Sequence, residues 1–228
     1  MGDVATPVYG WPYQSLVHAP NGALLGEELA LAIESTVQPI DTDRTSLLAR
    51  VTALENAAPY RDRQTVSVAT ATITFSGIPS TLRALHFRWT ARASGAVASS
   101  AVTVRINADA GAVYNYQFMQ GTGAGAYVGT TAAGATSITV GALPGSTSPA
   151  SLFADGLGWI PGWDSPHAGS LGMSFLNGSQ RLAGGIGNVT IVGSGEYQTA
   201  GPYTSISFTC GSGNFVVGSD FQIWGDRA

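Results

Sequence analysis

Residues 85–92 read Leu85-His86-Phe87-Arg88-Trp89-Thr90-Ala91-Arg92. Every second side chain is apolar, and the ones between are polar. A period of two marks a half-buried β-strand, because successive side chains point to opposite faces. Leu85, Phe87, Trp89 and Ala91 therefore face a core. His86, Arg88, Thr90 and Arg92 face water or a subunit interface. The pattern repeats along the chain. Val102-Val104-Ile106 alternates with Thr103, Arg105 and Asn107. Tyr114-Tyr116-Phe118 follows turn residues at 107–111, and this predicts a hairpin. Ile138-Val140, Leu171-Met173-Phe175, Val189-Ile191, Ile206-Phe208-Cys210 and Phe221-Ile223 continue it, separated by Gly- and Ser-rich stretches that read as loops. Many short strands without a helical interruption predict a mainly β fold over 59–228, an antiparallel, jelly-roll-like sandwich.

Upstream of Pro59 the period changes. Residues 1–23 hold Pro7, Pro12 and Pro20 among Tyr9, Trp11 and Tyr13. Proline fixes φ and removes a donor, so this segment reads as an extended arm. Its aromatic rings need a surface, either on the arm's own domain or on another protein. Residues 24–58 read as helical. The pattern predicts one helix over 24–37, an interruption at Pro39, and a second helix N-capped by Asp41, Thr42 or Asp43. From Ile33 the 4,3 spacing runs through Val37, Ile40, Arg44, Leu47, Val51 and Leu54 to Ala58. Val37, Arg44, Val51 and Ala58 fall at heptad position a, and Ile33, Ile40, Leu47 and Leu54 at d. Arg50 at g and Glu55 at the next e are spaced for an interchain ion pair. This segment is either a short coiled coil, with Ile40, Leu47, Val51 and Leu54 as oligomerisation residues, or an amphipathic helix packed on the β domain.

Composition narrows the function. The 228 residues are 44% hydrophobic and only 11% charged, with 30 glycines, a net charge of −4 and no lysine. Disordered chains combine low hydrophobicity with high net charge, which this one does not. The glycines lack the three-residue period of collagen. Without lysine there is no P-loop and no Schiff-base nucleophile. The ten arginines are scattered and make no basic face for nucleic acid. The single cysteine, Cys210, alternates with Ile206 and Phe208, so it reads as a small core side chain. No run of about 18 apolar residues predicts a membrane span, and the first residues lack a signal-peptide pattern. Gly2–Thr6 match a myristoylation pattern that arises often by chance. Asn177-Gly178-Ser179 and Asn188-Val189-Thr190 match the N-glycosylation sequon.

Chemistry-bearing clusters are sparse. There are three histidines, His18, His86 and His167, and neither His18 nor His86 has a companion at metal-ligand spacing. No cofactor or metal site is expected, and no catalytic residue. A glycosidase needs two facing carboxylates; Asp155, Asp164 and Glu196 are the acids nearest an aromatic segment. Asn107–Gly111 has the start of a calcium loop but not its distal glutamate, and reads better as a turn. The densest aromatic and polar stretch is Gly156–His167, which reads as a loop. In it, Trp159 and Trp163 are rigid surfaces suited to stacking on sugar rings, and Asp164 and His167 are placed to bond hydroxyls. The same tryptophans would also serve to plug the sandwich end or to pack between subunits. Tyr197 and Tyr203, beside Glu196, form a weaker candidate patch.

Several segments resemble small virion appendage proteins of tailed bacteriophages, chiefly those infecting high-GC Gram-positive bacteria. These are known as minor tail, tail-fibre or head-fibre proteins. The likeness runs through Tyr9–Tyr13 (YGWPY), Leu47–Glu55 (LLARVTALE), Arg105–Tyr114 (RINADAGAVY), Ile160–Trp163 (IPGW) and Gly213–Gly225 (GNFVVGSDFQIWG). Similar proteins carry a more lysine-containing strand after the Ile-Pro-Gly stretch, which this chain lacks. The resemblance implies a homotrimer on the virion exterior, on tail or head. Its N-terminal region, including Tyr9, Trp11 and Tyr13, would dock on other virion proteins. A C-terminal knob would meet the host surface through a glycan. The scattered arginines and the lack of a long apolar run predict no nucleic-acid partner and no membrane insertion.

Overall fold

The computed structural model describes residues 22–57, 60–122, 127–164, 169–179 and 188–227. Tyr9, Trp11, Tyr13, His18 and His167 lie outside the described residues. The chain divides into two compact units, Met1–Ala57 and Ala58–Ala228.

Among its described residues the first unit contains one helix, α1, Gly22–Ala57. The expected break at Pro39 is absent: proline lies inside a continuous helix of 36 residues. A proline removes one backbone hydrogen bond but need not end a helix that is held on both sides. Asp41, Thr42 and Asp43 are interior residues rather than caps. The Thr42 hydroxyl donates to the Gln38 carbonyl at 2.9 Å, and Thr45 to that of Asp41 at 2.8 Å. At 1.5 Å per residue α1 is about 54 Å long. Continuity carries the heptad pattern unbroken from Ile33 onward.

The second unit has twelve strands among its described residues. They are β1 (Tyr60–Thr65), β2 (Thr72–Ser76), β3 (Leu82–Ala91), β4 (Ser99–Ile106), β5 (Tyr114–Thr122) and β6 (Tyr127–Ala135), then β7 (Ile138–Pro144), β8 (Ala154–Pro161), β9 (Leu171–Ser179), β10 (Val189–Tyr197), β11 (Ser205–Cys210) and β12 (Asp220–Arg227). They form two antiparallel sheets packed as a sandwich. The larger runs β1-β12-β3-β8-β9-β10-β5-β6 and the smaller β2-β11-β4-β7. Pairs β1·β12, β2·β11, β3·β8 and β4·β7 fall alternately on the two sheets, so the chain wraps back on itself as in a jelly roll. The other strands widen the larger sheet.

The stretch that decides the fold is β3. Leu85, Phe87, Trp89 and Ala91 are fully buried or nearly so. Phe87 meets Phe208 of the opposite sheet with ring centroids 5.3 Å apart, and Phe208 meets Phe221 at 5.4 Å. Burying each such ring contributes roughly 1.5–3 kcal/mol. The strand beside β3 makes room for them. Gly156 pairs with Trp89 and Gly158 with Phe87. A Cβ on either glycine would lie 2.2 or 2.1 Å from the partner's ring. The segment read as an aromatic loop is therefore mostly strand β8, and these glycines are core positions rather than loop punctuation.

Two other expectations change. Asn107–Gly111 does not close a hairpin, because β4 pairs with β11 and β7 whereas β5 pairs with β10 and β6. The segment instead carries the chain from one sheet to the other. Asn107 and Ala108 both have positive φ, and the Tyr114 hydroxyl accepts the Ile106 N–H at 3.0 Å. The Asp109 carboxylate accepts the Gly111 N–H at 2.8 Å and the Tyr197 hydroxyl at 3.1 Å, which is a structural role. Arg92 is buried rather than facing water. Lying just past the end of β3, it turns its guanidinium inward to the carbonyls of Ser148, Pro149 and Leu152. Cys210 is buried, as its alternation suggested, with Sγ 3.6 Å from the Ser100 hydroxyl.

Candidate functional site

The outward face of the larger sheet holds the most distinctive exposed side chains. Trp224 on β12, His86 on β3 and Trp159 on β8 are successive partners in one row across three strands. The imidazole stacks on Trp224 at 5.4 Å with planes 6° apart, and on Trp159 at 6.4 Å and 20°. The outward parity of these strands puts all three rings on the solvent side. His86 Nε2 lies 3.4 Å from an Asp226 carboxylate oxygen, the long end of a hydrogen bond. Arg61 on β1 extends the row beyond Trp224. Arg88, exposed, lies two residues along β3 from His86.

Electrostatics fixes the outer edge of this patch. A cleft of about 430 Å³ along β1 and β12 is lined by Arg61, Asp62, Arg63, Gln222, Ile223 and Trp224. The Asp220 carboxylate accepts from Arg63 Nε at 2.7 Å, the Thr65 hydroxyl at 2.9 Å and the Gln222 amide at 2.8 Å. Partial burial alone would raise the Asp220 carboxyl; these donors outweigh it and hold it below the usual carboxylate range. Arg61 and Arg88 enter no ion pair among the described residues. The row thus offers aromatic surface, one imidazole and two uncommitted guanidiniums. Such a surface suits a ligand with both apolar faces and hydroxyl or acidic groups.

The sequence-derived candidates separate. Trp159 sits on the strand and is 47% exposed. Trp163 is 1% exposed and packs on Tyr203 with centroids 5.7 Å apart, so it has no ring face to offer a sugar. It plugs the sandwich instead. Asp164 is exposed in the turn after β8. Tyr197 and Tyr203 are buried, and the Tyr203 hydroxyl donates to the Thr199 carbonyl, which dissolves the second patch. Asp155 and Glu196 do not face each other. Their β9 partners, Gly178 and Gly172, are six residues apart, so the two carboxylates stand roughly 20 Å apart along the sheet. Among the described residues no three His, Cys, Asp or Glu side chains converge as a metal site. No described helix is long and apolar enough to cross a membrane. Asn177 of the first sequon is 1% exposed; its amide accepts Ala142 N–H at 2.9 Å and donates to the Asp155 carbonyl at 2.8 Å, so it links the sheets.

On α1, Ile40, Leu47 and Val51 are all exposed in the single chain, as are Ile33 and Val37. Leu54 belongs to the helix, but its side chain lies outside the described residues.

Reading from sequence missed His86 and Trp224 as partners. The signal was available: Phe221 and Ile223 point inward, so Trp224, next along the strand, points out. No protein-family model matches this chain, and no curated protein matches it in sequence.

Proposed function

We propose that this protein is a structural component of a tailed-bacteriophage virion, a homotrimeric tail-fibre or minor tail protein without enzymatic activity. Residues Ile33–Leu54 of the helix join the copies. The N-terminal region docks on the particle. The β unit contacts a host-surface glycan through the Trp224–His86–Trp159 row.

The observation that carries this reading is the helix. Ile33, Val37, Ile40, Leu47 and Val51 fall at a and d positions, with Arg44 the polar member, and are exposed in the single chain; identical parallel helices would cover them. The resemblance of the segments quoted above supplies the virion setting. The roughly 20 Å separation of Asp155 and Glu196 supports binding over glycoside cleavage by that pair. Weak sugar contacts gain strength when three copies engage together.

Two measurements test it. Mass determination of wild type against Leu47→Asp/Leu54→Asp is expected to show a trimer collapsing to monomer; an unchanged oligomer removes the zipper. Gold-labelled antibody imaging of the particle is expected to mark the tail. Label on the capsid would make this a head fibre of the same architecture, and no label would remove the virion assignment.

A further inference from the structure

The aromatic row occupies only one side of the larger sheet's outer face. On the other side the register brings Leu157, Leu176, Val192 and Met119 into a single row across β8, β9, β10 and β5. All four are exposed, at 52%, 42%, 49% and 65%. Four apolar side chains pointing outward in one line run against the alternation that solvates an antiparallel sheet.

Three further observations say what covers this row. First, most of the surrounding outward positions are small and uncharged, Gln117 beside Ser194 being the long exception. At Gly178 and Gly172 on β9 and Gly129 on β6, a Cβ would meet nothing within 4 Å, and Ser174 and Ser194 lie between them in register. Outward glycine weakens a strand unless something approaches the backbone closely. Second, the patch carries charge only at its margins, at Asp155, Glu196 and Arg88, the register partner of Leu157 on β3. An uncharged surface meets an uncharged surface of a sister copy without repulsion, and it offers no handle to an oppositely charged partner. Third, the area is right. Strands β9, β10, β5 and β6 at about 4.8 Å spacing and about 30 Å length, with the Leu157 end of β8, span roughly 600 Å², most of the roughly 800 Å² that each side of a stable interface buries.

We infer that this uncharged half-face is covered by a second copy of the chain. The inference rests on the proposal that α1 joins copies: only two residues separate Ala57 from Tyr60, so helix assembly holds sister β units at about millimolar effective concentration. The charged half, with Trp224, His86 and Arg61, stays accessible to ligand.

Thiol protection in the full-length chain tests this. Cys210 is buried and stays unreactive. Val192→Cys and Met119→Cys probe the half-face, and Val217→Cys, at an exposed position outside the strands, is the control. All three positions point to solvent in the single chain, so folding is retained. With a maleimide-polyethylene glycol reagent, both half-face thiols are expected to react at least about tenfold slower than the control. In a Leu47→Asp/Val51→Asp background they are expected to approach the control rate. Equal rates in a chain whose mass is oligomeric overturn the inference but spare the helix proposal. Equal rates in a chain that is monomeric overturn both. Protection that persists in a monomer overturns it too, because the shielding then comes from within one chain.

Discussion

The two faces of the larger sheet use the same residue types to opposite ends. On the inner face, Gly156 and Gly158 lie under the rings of Trp89 and Phe87, which are buried in the sandwich core. On the outer face, Gly172 and Gly178 lie under open space, and Leu157, Leu176 and Val192 touch solvent. An inward glycine is part of a completed core. An outward glycine beside exposed leucines is, on the inference that a sister copy covers this half-face, one side of a contact between molecules. Helix α1 repeats the outer-face situation, since its apolar positions are exposed as well. Substitutions that discriminate the two kinds of position are the sharpest way to break this contrast.

The largest effect is expected at Gly156→Val. Its Cβ would occupy the Trp89 ring, and the ring has no room to retreat in a packed core. The folded state should lose more than about 3 kcal/mol, read as a fall in the urea midpoint or as insoluble protein. Pairing Gly156→Ala with Trp89→Leu should recover part of the loss measured for Gly156→Ala alone. Recovery absent from the double variant would mean that the ring is not the obstacle.

Next is Arg92→Met. It keeps the apolar stem but removes donors from the carbonyls of Ser148, Pro149 and Leu152. Leaving buried acceptors unpartnered costs about 1–3 kcal/mol. A midpoint within error of wild type would show that water replaces the guanidinium there.

Tyr114→Phe should cost about 1 kcal/mol through the lost hydrogen bonds at Ile106 and Asp109. The same phenol predicts an alkaline signature. Burial pushes its pKa up to about 12, the Ile106 backbone bond partly opposing. The unfolded chain ionises near pH 10, before the folded one does, so stability falls as pH rises from about 10 to 12. Below about pH 10 both states are neutral and the contribution is constant. The Phe variant should show a shallower loss across that interval.

Much of the fold was legible because alternation is a local property. Leu85, Phe87, Trp89 and Ala91 announce a core strand without knowledge of the rest. The site was less legible. β8 looked like a loop because Gly156 and Gly158 are poor strand formers in isolation, and only their partners Trp89 and Phe87 explain them. Trp159 and Trp163 looked equivalent, yet one lies at an outward strand position and the other in the turn beyond, where it packs on Tyr203. The row Trp224–His86–Trp159 joins residues from three strands far apart in sequence, so no spacing rule reaches it. The helix was half legible: the heptads were visible, but Pro39 suggested a break that the surrounding turns absorb.

The smallest effect on folding, and the most informative, is expected at Gly178→Val. This position has the same residue type as Gly156, on the strand next to β8, but it faces outward with open space above it. Valine suits an exposed strand better than glycine, so the unfolding free energy read from the urea transition should hold or rise by less than about 1 kcal/mol. If the fold alone decided the residue, nothing else would change. If a sister copy approaches here, the added side chain holds the two surfaces apart, and the Val192→Cys thiol should lose protection while the helix still keeps the mass oligomeric. A substitution that leaves folding intact and opens the half-face to reagent would separate, at one residue, what the chain needs to fold from what it needs to assemble.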